Sequence, residues 1–122
     1  MAGNFFPVDL KVLWKLLTHF RGDEWVVPIL AYLVLCKHQQ GGKAFTTAGT
    51  LVIAKVLGVT RYRAEKLIRE LEQVQWGASQ EQAIVSHPLL KNLLEMGCPH
   101  NLEFFPVKAL PRISDECIWL PN

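Results

Sequence analysis

Apolar residues recur at helical spacing along much of the chain, and this pattern predicts a mainly helical protein. Residues 8–20 form the first such stretch, with Asp9 near its start, where a carboxylate suits the helix dipole. A second stretch, from about residue 25 to residue 39, is apolar nearly all round and tolerates Pro28 in its first turn. We therefore expect the second helix to be central. The apolar face of the first contains Leu10, Leu13, Trp14, Leu16, Leu17 and Phe20.

Two further helices are predicted on either side of a tight turn at residues 58–60. Gly58 follows an apolar helical stretch ending at Leu57, where a positive φ is needed to leave the helix. Val59 can fill the gap between the two helices, and the hydroxyl of Thr60 is a good N-cap for a helix over about 61–73. The apolar face of that helix consists of Ala64, Leu67, Ile68 and Leu71. This arrangement predicts a helix-turn-helix, whose second helix enters the DNA major groove.

The opposite face of this second helix is polar and mostly cationic. Arginine can bond bidentately to guanine, and any of the cations can contact a phosphate. An alternative is a solvated helix face whose charges pair at i, i+4, such as Glu65 with Arg69 and Lys66 with Glu70. The residues of the face are Arg61, Tyr62, Arg63, Glu65, Lys66 and Arg69.

Short strands are expected before and after this unit. Ala44 and Phe45 predict a strand that leads into Thr46 or Thr47 as the N-cap of the next helix. Residues 74–76 and 83–85 predict a hairpin around a polar turn, which would be the wing of a winged helix. The tip of this hairpin has no cation, so we expect no strong wing contact with DNA.

The C-terminal third is less regular. It predicts a short helix over 88–96 and strand character over 102–107. The last ten residues end in an apolar run that includes Trp119. This run is either the beginning of a longer protein or a C-terminal strand docked on the domain. We expect an N-terminal helical extension over 1–24, a winged helix-turn-helix domain over 25–87, and a further segment over 88–122.

Composition and charge narrow the class of protein. The 122 residues are 50% hydrophobic and 20% charged, which provides a core and argues against disorder. The net charge is only +2, but the segment from Lys43 to Trp76 holds six cations and three anions, hence +3. Positive charge is therefore concentrated on the predicted DNA-binding unit, although one copy should bind phosphates weakly.

The lack of targeting features and the cysteine content favour a cytoplasmic protein. The N-terminus lacks the features of a signal peptide, and the longest apolar stretch, residues 25–36, is too short to span a bilayer. Three cysteines, an odd number, indicate free thiols in a reducing compartment. We expect no membrane association.

The region from Ile29 to Leu71 resembles the winged helix-turn-helix domains of bacterial replication initiators and GntR-type regulators. The resemblance lies in Phe45-Thr46-Thr47, Ile53-Ala54, Leu57-Gly58-Val59-Thr60-Arg61 and the Glu70-Leu71-Glu72 end of the second helix. It implies double-stranded DNA as partner, a possible homodimer, and a role as a transcription regulator or as a replication or mobile-element protein, nucleoid-associated when bound. The residues expected to contact DNA are Lys43, Thr47, Thr60, Arg61, Tyr62, Arg63, Lys66 and Arg69.

Other chemistry has weaker support. Two Cys-x-His pairs, Cys36 with His38 and Cys98 with His100, offer a zinc ligand set, but their spacing is unlike that of zinc fingers. A buried structural Cys36 is the simpler interpretation. Neither a catalytic arrangement nor a phosphate loop stands out, so we expect no enzyme, no cofactor, no metal and no small-molecule ligand. The alternative function is a winged-helix module that binds another protein.

Overall fold

The computed structural model describes residues 5–22, 24–39, 45–46, 48–76, 82–83, 85, 108–110 and 115–121. Within these ranges the chain is mainly helical, as predicted, with small antiparallel sheets. The helices are α1 (Leu10–His19), α2 (Val26–Lys37), α3 (Thr50–Leu57) and α4 (Arg61–Glu72). The strands are β1 (Phe5–Asp9), β2 (Phe45–Thr46), β3 (Gln75–Trp76), β4 (Gln82–Ala83), β5 (Lys108–Ala109) and β6 (Cys117–Pro121).

The strands form three antiparallel pairs. β1 pairs with β6, with Phe5 opposite Pro121 and Asp9 opposite Cys117. β2 pairs with β5, and β3 pairs with β4, as predicted for the residues that follow α4. The final strand therefore docks on the body of the protein, which was one of the two interpretations of the apolar C-terminal run.

The start of the first helix is a correction to the sequence analysis. Val8 and Asp9 were assigned to the helix, but they belong to β1, where Val8 lies opposite Ile118. The Asp9 carboxylate accepts the amide N–H groups of Lys11, at 2.8 Å, and Val12, at 3.3 Å, and so caps α1 from outside. The strand was missed because its partner lies more than 100 residues away in the sequence.

The start of α3 is a second correction. Its N-cap is Gly49, rather than Thr46 or Thr47. Thr46 is fully buried, and its hydroxyl accepts the amide N–H of Ala48 at 3.2 Å, two residues on. Because the Thr46 hydroxyl accepts this N–H in a local turn, it does not cap α3. Thr47 lies outside the described residues.

A single cluster of buried apolar residues joins the helices. α1 contributes Val12 and Leu16, and α2 contributes most of its length, including Leu35. The expected central position of α2 is confirmed by its contacts with α1, α3 and α4. The division of the chain at residues 24 and 87 stays a prediction, although the buried residues of the N-terminal extension lie in the same cluster as those of α4.

Several expectations fall on parts of the chain outside the described residues. These are the helix over 88–96, the strand over 102–107 and the tip of the hairpin. Over the part that is described, the helices are too short or too polar to cross a membrane.

Candidate nucleic-acid interface

The turn between α3 and α4 has the backbone geometry predicted from its residues. Gly58 has φ 68° and ψ 32°, in the left-handed region, and the amide N–H of Val59 donates to the Ala54 carbonyl at 3.0 Å. Thr60 is extended, with φ −69° and ψ 159°, and its hydroxyl accepts the N–H of Arg63 at 3.1 Å. The half-buried Val59 packs against the core. The direction in which α4 leaves the turn is therefore set by hydrogen bonds and packing.

The apolar face of α4 is buried as expected. Ala64, Leu67, Ile68 and Leu71 are each at most 3% exposed, and α4 contacts both α2 and α3. Ile53 of α3 is fully buried, while Ala54 and Leu57 are partly buried against the same cluster. Because the helix is held along one side by two others, its opposite side is presented as a rigid surface.

The most outward part of α4 is a ridge formed by Tyr62, Lys66 and Arg69, called here the outer ridge. At 100° per residue these three positions fall within about 60° of one another. All three are exposed, and the Tyr62 residue reaches 72%. Within the described ranges neither Lys66 nor Arg69 forms an ion pair. The outer ridge thus offers two cations and a phenol to solvent.

Arg61 lies to one side of the ridge and pairs within the helix. Its Nε is 3.4 Å from the Glu65 carboxylate, with both side chains well exposed. The pair differs from the two i, i+4 pairs considered in the sequence analysis, since Glu65 turns toward Arg61 and not toward Arg69. An exposed pair of this kind stabilises by well under about 1 kcal/mol, so it does not prevent Arg61 from taking another partner.

Arg63 lies on the other side of the ridge and makes a long-range contact. One terminal nitrogen donates to the Glu24 carboxylate at 2.8 Å, and the Arg63 side chain is only 29% exposed. Glu24 lies in the turn between α1 and α2, 39 residues away in sequence. Glu24 could not be predicted from the sequence, because no local pattern indicates a partner at that separation.

A groove of about 400 Å³ separates α4 from the turn between α1 and α2. Its apolar lining comes from Phe20, Trp25 and Pro28. Its charged lining comes from Arg21, Glu24, Arg63, Lys66 and Glu70, which amounts to three cations and two anions. The groove is therefore open, partly aromatic and net positive by one charge.

Other expected contact residues are not tested by the geometry. Lys43 and Thr47 lie outside the described residues. Thr60 is exposed, but its hydroxyl is engaged as the cap of α4. The β3–β4 hairpin follows α4 directly, with Gln75 opposite Ala83, which is the position that a wing would occupy.

The expected structural role of Cys36 is confirmed. The residue is 3% exposed, and desolvation raises the pKa of its thiol to about 12, although a hydrogen bond from Tyr32 lowers it in part. Burial likewise raises the pKa of Tyr32 well above its usual value. In the part of the chain that is described, no group of three or more potential ligands could hold a metal ion. Cys98 and His100 lie outside that part.

Comparison of the sequence with protein-family models found no match, and comparisons with curated proteins and with solved structures also found none. The resemblance to winged helix-turn-helix domains therefore rests on the motif residues themselves.

Proposed function

We propose that this protein binds double-stranded DNA sequence-specifically through α4, as a transcription regulator or as a replication or mobile-element protein of the bacterial cytoplasm. The observation that carries the proposal is the turn at Gly58 and Thr60, followed by a helix with one buried face and a cationic outer ridge. In a winged helix-turn-helix this is the helix that reads DNA, and the β3–β4 hairpin would be its wing.

The dimensions of α4 suit the major groove. An α-helix with its side chains is about 10–12 Å across, and the groove is about 12 Å wide. With the buried face turned toward α2 and α3, the outer ridge faces the base edges. Arg61, in the first turn of α4, is also placed where such helices contact bases.

Charge sets the expected strength of binding. The net charge of +2 is small, so a single copy should hold DNA weakly and release it readily as salt rises. Two copies on a palindromic site would bind more tightly, and a homodimer is therefore part of the proposal.

The test is fluorescence anisotropy with a mixed-sequence duplex at about 50 and 200 mM salt. If roughly three phosphates are neutralised, affinity should fall about 40-fold over that range. Lys66→Ala with Arg69→Ala should weaken binding strongly. Lys11→Ala with Lys15→Ala is the matched control, because it removes the same charge from exposed positions of α1.

Two outcomes would contradict the proposal. One is a folded wild-type protein that does not bind at the lower salt concentration. The other is equal loss of binding in the two double variants, because net charge alone would then explain the affinity. Selection from a random duplex library would next show whether binding is sequence-specific.

A protein-interaction module is the second candidate, and exposed aromatic residues favour it. Trp14 is 65% exposed, Trp119 is 61% exposed and Phe5 is 47% exposed. Phe5 and Trp119 lie on the paired strands β1 and β6. Binding through such a surface should change little with salt, whereas DNA binding should weaken steeply.

A further inference from the structure

The groove of about 400 Å³ beside α4 is called here the cleft. If α4 lies in the major groove of DNA, as proposed above, the cleft has a defined position relative to the DNA. The centre of the outer ridge then faces the bases, and the sides of the helix face the two sugar-phosphate backbones that border the major groove. Lys66 lies at the edge of the ridge nearest the cleft and lines the cleft. Arg63 and Glu70 lie about 70–95° round the helix from the centre of the ridge, at 100° per residue. The side of α4 that borders the cleft is thus the side next to one backbone.

Cations from two separate elements converge on this cleft. Arg63 and Lys66 come from α4, and Arg21 comes from the turn after α1. The Nε of Arg21 donates to the Thr18 carbonyl at 3.3 Å, which fixes the guanidinium near the end of α1. Its terminal nitrogens have no partner within the described ranges, so they are available to an acceptor.

The apolar lining suits a sugar as neighbour of a phosphate. Trp25 is 44% exposed, and Phe20 and Pro28 line the cleft beside it. The DNA backbone presents an anionic phosphate next to a sugar ring, and this lining offers cations next to apolar side chains. A purely anionic ligand would not use these three residues.

We propose that this cleft is a site for one backbone phosphate of DNA, held by Arg21, Arg63 and Lys66. The proposal rests on DNA binding by α4, and it moves Arg63 from base recognition to the backbone. Glu24 occupies the guanidinium of Arg63 when DNA is absent. The Glu24 side chain is 74% exposed, so a backbone phosphate, which carries the same single negative charge, can replace it at small cost.

Opposite effects are expected from changing Arg21 and Glu24. Arg21→Ala removes one phosphate contact, so affinity should fall about five- to tenfold near 0.1 M salt and the slope of log affinity against log salt should decrease by about 0.9. Glu24→Gln removes the competing carboxylate and should raise affinity for duplexes of any sequence. Both variants should have the same base preferences as the wild type.

Matched controls lie at the far end of α1, roughly 14 Å away along the helix axis. Lys11→Ala removes one positive charge there, and Asp115→Asn removes one negative charge beside Glu116, whose carbonyl accepts the N–H of Leu10 at 2.9 Å. All four positions are exposed, and circular dichroism would verify that each variant is folded.

The proposal is overturned if Arg21→Ala and Lys11→Ala have the same affinity and salt slope while the wild type binds DNA. It is also overturned if Arg21→Ala leaves DNA binding unchanged but weakens binding of pyrophosphate, because the cleft would then take a free phosphate compound. If the proposed DNA binding by α4 is itself wrong, the wild type will not bind DNA, which distinguishes that outcome from both of these results.

Discussion

Thr60 is the residue whose contribution to α4 is simplest to isolate. Its hydroxyl accepts the N–H of Arg63, one of the amides that a helix start leaves without a partner in the helix. Thr60→Ala should lower the free energy of unfolding by about 1 kcal/mol, measured by urea denaturation. Thr60→Ser keeps the acceptor and is the control. Equal stability of the Ala and Ser variants would show that the cap contributes nothing.

Cys36 makes stability depend on pH above neutrality. Burial raises the pKa of the Cys36 thiol from 9.0 in the unfolded chain to about 12 in the folded protein. The contribution of the protonated thiol to the free energy of unfolding is therefore complete below pH 9 and is lost as pH rises toward 12. At pH 10 the free energy of unfolding should be lower than at pH 7 by on the order of 1 kcal/mol. Tyr32, whose pKa burial also raises, adds to the fall in the same direction.

Urea denaturation of the wild type and of Cys36→Ala at pH 7 and pH 10 measures this effect. The variant is expected to be less stable at both values, because a buried side chain is truncated. Its decrease between pH 7 and pH 10 should nevertheless be smaller than that of the wild type. An identical decrease in both proteins would assign the pH dependence to other groups.

At the scale of single residues, the sequence predicts those features that depend only on neighbouring residues in the chain. Gly58 and Thr60 could be assigned because a positive φ and a cap depend on their immediate neighbours. The contact of Arg63 with Glu24 could not, because it joins α4 to a turn 39 residues earlier. The α4 residues of the candidate site could therefore be proposed from the sequence, whereas Arg21, Glu24 and Trp25, which lie beside them in the fold, could not.

At the scale of elements, Asp9 couples strand β1 to helix α1. It is 3% exposed, belongs to the strand and accepts two amide N–H groups of the helix. Asp9→Ala should reduce the free energy of unfolding by about 2 kcal/mol, because buried amides lose their acceptor. Asp9→Asn keeps an oxygen and should cost less. Thermal unfolding followed by circular dichroism would measure both, and an Asn variant as unstable as Ala would contradict the capping role.

Helices were predicted better than strands for a physical reason. An amphipathic helix is visible in one window of sequence, whereas a strand exists only through its partner. β1 was interpreted as lead and helix because β6 lies at the opposite end of the sequence. β3 and β4 could be predicted because the two paired strands lie close together in the sequence, at residues 75–76 and 82–83.

At the scale of the whole molecule, the N-terminal segment is part of the core. Val8, Val12 and Leu16 are fully buried in the cluster that includes Leu67 of α4. A chain that begins at residue 25 should therefore lose cooperative unfolding, even though it retains the helix-turn-helix residues. Urea denaturation followed by circular dichroism would show this, with the 122-residue chain as the reference. A sharp transition at unchanged midpoint would make residues 1–24 a true extension, as the sequence analysis expected.

The pairing of β1 with β6 also bears on how the protein is made. During translation the strand near Phe5 leaves the ribosome first, and its partner near Pro121 follows 116 residues later. At about 5–20 residues per second this delay is roughly 6–23 s. During that time the inward residues of β1, Phe6 and Val8, have no strand to cover them. Until β6 has been synthesised, the nascent chain therefore carries an exposed apolar segment, and such a segment is a target for chaperones that hold unfolded chains.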